Sequence, residues 1–128
     1  MDGNFVMDDI DFGLLAGDGI ATRAVKEGTL IFQEGDKADG LLVIKRGQVR
    51  IRLGNRTLAE LSANSIFGEM ALIDDAPRSA TAVAMTDVEL VPISEKQFLF
   101  LVSQTPFFAL KVMRVLARRL RTTSKSFG

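Results

Sequence analysis

Between Gly28 and Ile93 no apolar stretch runs for more than a few residues, because turn-forming residues cut the chain at intervals of about eight to twelve positions. That spacing suits short strands joined by hairpins and leaves no room for a bundle of long helices. It predicts an antiparallel β-roll or jelly-roll barrel, with candidate strands at 29–33, 41–46, 48–53, 57–61, 79–84 and 87–93. The turns have chemistry behind them. Glu34-Gly35-Asp36, Asp39-Gly40, Arg46-Gly47 and Gly54-Asn55 supply the positive φ angles of tight connections, and Gly54-Asn55 fits a two-residue hairpin. In the strand before that hairpin, Val49, Ile51 and Leu53 fall on one face and Arg50 and Arg52 on the other, so one face is expected to be wet.

After Ile93 the period changes. Ser94-Glu95-Lys96-Gln97 reads as a capping box opening a helix through about Ser103, and Thr105-Pro106 starts a second one. In the second helix Ala109, Met113, Leu116 and Leu120 form one apolar row, widened by Phe108, Val112 and Val115, with Lys111, Arg114, Arg118, Arg121 and Lys125 opposite. So broad a stripe is expected to pack on the β-domain or on a partner helix, with Phe107 and Phe108 both in the core. The fold class is therefore α+β and mainly β. A β-roll over 28–93 and two C-terminal helices over 94–121 lie within a domain of residues 25–128, preceded by an acidic N-terminal segment with helical character at 1–24.

Charge and composition remove whole classes of function. Residues 1–20 carry five aspartates and no base, and residues 96–128 carry seven bases and no acid, yet the sixteen basic and sixteen acidic residues cancel overall. No long-range field draws the chain to nucleic acid or to an anionic membrane, so neither is an expected partner. With no cysteine and no histidine, thiol redox chemistry, iron–sulfur and His- or Cys-ligated zinc sites, haem and the usual proton shuttle are absent. The apolar runs fall far short of a membrane span and the N-terminus lacks the basic start of a signal peptide, which predicts a cytoplasmic protein. The 128 residues suit one domain.

The informative stretch is Phe67-Gly68-Glu69-Met70-Ala71-Leu72-Ile73, Asp74-Asp75-Ala76-Pro77, then Arg78-Ser79-Ala80-Thr81-Ala82. It places a short helix-forming run inside a strand pattern. The N–H groups at the start of such a helix attract an anion, and Gly68 lets a ligand approach the backbone. Arg78, beyond a tight turn, can fold back and offer its planar guanidinium to the same anion, while Ser79 can add a hydroxyl. Glu69 beside these donors makes sense if the ligand also carries a hydroxyl. Phosphate with a sugar hydroxyl suggests a nucleotide. One arginine and one helix terminus balance about one negative charge, as a phosphodiester carries.

This segment resembles the phosphate-binding cassette of the cyclic nucleotide-binding domains found in catabolite activator proteins, kinase regulatory subunits and nucleotide-gated channels. The likeness covers roughly residues 25–121. It implies that Glu69 holds the ribose 2′-hydroxyl and Arg78 the cyclic phosphate, that Gly68, Glu69 and Ala71 give backbone donors, and that Ser79 contacts phosphate or purine. It further implies an apolar wall at Ile51 and Leu58, with Leu116, Arg119 and Leu120 capping the base from the last helix. The implied function is that of a stand-alone sensor for cAMP, in preference to cGMP, that signals by moving its C-terminal helix. A homodimer or partner protein would dock on that helix. Neither cofactor nor metal is expected. Two other readings compete: a dimerisation module of the same fold that binds no nucleotide, and, more thinly, a metal-dependent phosphodiesterase resting on Glu69, Asp74 and Asp75.

Overall fold

The run Leu41-Leu42-Val43-Ile44 has no polar residue to face solvent, and all four side chains are buried. They belong to the strand that divides the molecule's two cores. The computed structural model describes residues 21–74 and 76–127, with side chains as far as Arg119. The acidic segment 1–20, and with it most of the expected N-terminal unit, lies outside the described residues. Eight strands are described: β1 (Arg23–Val25), β2 (Leu30–Phe32), β3 (Leu41–Arg46), β4 (Val49–Leu53), β5 (Arg56–Leu61), β6 (Ile66–Phe67), β7 (Thr81–Ala84) and β8 (Val88–Ile93). They form two antiparallel sheets, ordered β1-β8-β3-β6 and β2-β7-β4-β5. Helices α1 (Glu95–Gln104) and α2 (Phe107–Phe127) follow. This is the expected mainly-β roll with two C-terminal helices.

Leu42 and Ile44 pack between the sheets with Val25, Ile31, Val49, Phe67 and Leu90. On the other face of β3, Leu41 and Val43 pack with Ile93 of β8 and with Leu101, Phe108, Val112 and Val115 of the helices. A strand covered on both faces reads as a continuous apolar run, whereas β4, covered on one, alternates. That alternation is shorter than the sequence suggests. A register shift falls between Ile51 and Arg52, and Leu53, at the two-residue turn closed by Leu53 and Arg56, is exposed.

The helices correct two further expectations. A straight helix rests on a sheet along one line, so two adjacent apolar rows cannot both be covered. The buried row is Phe108, Val112 and Val115, while Met113 is 56% exposed and Phe107 50% exposed, its ring under the Arg114 guanidinium. Among the described residues no helix is long and apolar enough to cross a membrane.

The start of α1 matches its sequence signature. The Gln97 N–H donates to Ser94 Oγ (3.2 Å) and the Ser94 N–H donates to Gln97 Oε1 (2.9 Å), closing a capping box. Ser94→Ala removes half of it and is expected to cost about 1 kcal/mol of stability. Thermal denaturation followed by circular dichroism reads this as a midpoint lowered by a few degrees; an unchanged midpoint would show that the cap adds nothing.

Candidate functional site

Strand β6 is only two residues long, yet it delivers the cassette. Leu42 pairs with Phe67 and Val43 with Ile66, which anchors the chain immediately before Gly68. Gly68 turns it with φ +73°, a left-handed conformation that glycine adopts without strain. Glu69–Leu72 then form a single 3₁₀ turn, less than the helix expected from the sequence. The Ala71 N–H donates to the Gly68 carbonyl at 3.3 Å, so this one of the three expected backbone donors is engaged within the turn itself. Asp74 accepts from the Ala76 N–H (3.0 Å) and tightens the turn that brings the chain back; Asp75 lies outside the described residues. Among the described residues no group of three acidic side chains is placed to hold a metal ion.

Arg78 is 8% exposed. Its backbone is clamped to the loop after β2, donating to the Asp36 carbonyl and accepting from the Gly35 N–H, both at 2.8 Å. In the side chain, Nη1 donates to the Gly68 carbonyl and Nη2 to the Gly40 carbonyl, both at 2.9 Å, and Nη2 lies 3.7 Å from the exposed carboxylate of Asp39. Nε, also buried, has no hydrogen-bond partner among the described residues. Burial pulls this guanidinium below its ordinary pKa, against the opposing pull of the Asp39, Glu69 and Asp36 carboxylates. The Phe32 ring lies 4.2 Å beneath it. A methyl group at position 68 would sit 2.6 Å from Arg78 Nη1, so the glycine is needed for this close approach as well as for its φ.

Glu69, 8% exposed, forms an ion pair with Arg119 of α2, whose Nη2 also donates to the Ile66 carbonyl (2.6 Å). These contacts tie the far part of α2 to the cassette. Together the elements enclose a cleft of about 590 Å³, within the range of small-molecule sites. Its apolar wall is Ile51, Leu58, Ala59 and Leu61, and its polar end holds Glu69, Arg78, Ser79 and Arg119.

Residues 22–105 match the sequence family described as the cyclic nucleotide-binding domain. The chain belongs to that family. This cyclic nucleotide-binding domain is 40% identical over 104 residues to the cyclic AMP receptor protein of Thermus thermophilus, an alignment covering 77% of this chain and 48% of that one. The crystal structure of the Thermus thermophilus catabolite activator protein superposes with a TM-score of 0.79 at 37% identity, over 88% of this chain and 55% of the other. The EAL enzyme Bd1971, solved in cAMP-bound and cGMP-bound forms, gives TM-scores of 0.61 and 0.63 at 37% identity, covering 82% and 83% of this chain and 30% of that enzyme. The chain spans about half the length of the Thermus receptor protein and of the CRP-like cAMP-activated global transcriptional regulator of Mycobacterium tuberculosis, to which it is 31% identical over 108 residues.

Of the residues marked in the sequence, the cyclic nucleotide-binding domain brings Gly68, Glu69, Ala71, Arg78, Ser79, Ile51, Leu58 and Arg119 to the one cleft. Leu116 is elsewhere: it packs against the buried row under α2, one turn away from the cleft wall. The side chain of Leu120 lies outside the described residues. Phe32 and Arg118 also line the cleft and were not marked. In the sequence Arg118 belongs to the basic row opposite the apolar stripe of the second helix, and Phe32 gives no signal beyond an aromatic at the end of a strand.

Proposed function

We propose that the chain binds a cyclic purine nucleotide in this cleft, cAMP in preference to cGMP, as a regulatory sensor without catalysis of its own. The observation that carries the reading is the buried Arg78 whose Nε has no hydrogen-bond partner among the described residues. A buried guanidinium donor left unpaired is costly, and a phosphate oxygen is the acceptor that suits it best. In this reading Arg78 takes the cyclic phosphate, Glu69 accepts from the ribose 2′-hydroxyl, and Ile51 and Leu58 flank the base. A carboxylate accepts on both oxygens, so Arg119 and a ribose hydroxyl can share Glu69. The ligand is thereby linked to α2, and a change in the contacts of Glu69 biases where that helix rests. The preference for cAMP is supported by the likeness to the cyclic AMP receptor protein of Thermus thermophilus; the Bd1971 structures with either nucleotide support the wider class. The exposed Phe107, Leu110 and Met113 on α2 support that helix as the contact for a second copy or a partner protein.

Isothermal titration calorimetry with cAMP, cGMP and 5′-AMP tests this. One cAMP per chain should bind, cGMP more weakly, and 5′-AMP weakest, since its second negative charge exceeds what one arginine balances. Absence of binding by both cyclic nucleotides would leave the non-binding module as the better reading.

A further inference from the structure

Phe32 and Arg78 line both the cleft described above and a second cavity of about 370 Å³ whose walls include Asp36 and Asp39. The guanidinium thus borders a second space, lined by Arg23 and Lys37 as well as the two aspartates, in addition to the cleft. With the Asp39 carboxylate 3.7 Å from Nη2, Arg78 has a competing partner. We propose that Phe32 is a positioning residue for the anion site, its ring fixing the plane of the Arg78 guanidinium so that the Nε donor is held for a ligand and the group is not drawn away toward Asp39. The proposal rests on the cyclic nucleotide reading for what that ligand is.

All N–H donors of a guanidinium lie in its plane, and its faces carry none. An aromatic ring beneath the group attracts the cation through one face and consumes no hydrogen-bond donor. The two edges are held in the plane by the carbonyls of Gly68 and Gly40, which belong to separate segments. The ring supplies the third constraint, against tilting. Phe32 is itself steadied by Phe67, whose ring centroid is 5.9 Å away at 36°, and the missing side chain of Gly68 leaves room for the stack. An aliphatic residue could fill most of the same volume and could not hold the cation.

Phe32→Leu is therefore expected to weaken cAMP binding about tenfold, the size of a partly desolvated cation–π contact, and Phe32→Tyr to stay within about twofold of the wild type. In an Arg78→Ala background, followed by NMR at millimolar nucleotide, the Leu penalty should vanish. A loss that persists without Arg78, or no loss at all, would overturn the proposal. The Arg78 Nε–Hε resonance of ¹⁵N-labelled protein gives a second readout that needs no nucleotide. It should be resolved in the wild type and the Tyr variant and averaged in the Leu variant; an identical resonance in all three would also overturn the proposal. If the wild type binds neither cyclic nucleotide while the Leu variant alone loses the ordered resonance, the nucleotide reading fails and the positioning role stands. Should the Leu variant not fold, Phe32→Met makes the same comparisons.

Discussion

Arg78→Ala is expected to weaken cAMP binding by tens to about a thousandfold, corresponding to about 2–4 kcal/mol for a charge-assisted contact in a partly dry site. The structure adds a second consequence. The Gly68 and Gly40 carbonyls lose their donors in this variant, so it should fold with a lower thermal midpoint as well as bind poorly. Arg78→Lys separates the two effects. An ammonium restores the charge but not the planar set of donors, so affinity should remain well below that of the wild type even where stability is partly regained. Calorimetry beside thermal denaturation reads both, and an Ala variant that binds cAMP as tightly as the wild type would remove Arg78 from the site.

Glu69→Ala is expected to cost about ten- to a hundredfold in cAMP affinity, the range for a hydrogen bond to a charged group. The diagnostic reading is relative. The wild type should discriminate against 2′-deoxy-cAMP, and the Ala variant should lose most of that discrimination, because the group that senses the hydroxyl is gone. The variant also leaves Arg119 without its carboxylate, so α2 should be held less firmly against the cassette. Equal discrimination in both proteins would make Glu69 a purely structural partner of Arg119.

What could be read before folding was local. Glu69 and Arg78 fall in one short segment whose turn residues already say that the chain doubles back. The hairpin at Gly54-Asn55 and the capping box at Ser94 are likewise signals within a few residues, and all of these stand where the sequence placed them. Strands β1 and β6, at three and two residues, are too short to show a period and exist because β8 and β3 offer them edges to pair with. The row of α2 that is buried was decided by the line along which the helix meets β3 and β8, which helical spacing alone does not encode. Phe32 beneath Arg78, and Arg119 fifty positions from Glu69, are contacts between distant segments. The family resemblance marked Arg119 for the base; the structure seats it on the Glu69 carboxylate and the Ile66 carbonyl, a place that no periodicity predicts.

The central claim is that a cyclic nucleotide sits on this cassette and is felt by α2. Amide hydrogen exchange with and without saturating cAMP addresses both parts at once. The account predicts slower exchange across residues 66–81 and, through Glu69 and Arg119, across 114–119, with both responses abolished in Arg78→Ala. Slowing confined to the cassette would contradict the coupling to the helix, and exchange unchanged throughout the domain at saturating cAMP would contradict the site itself.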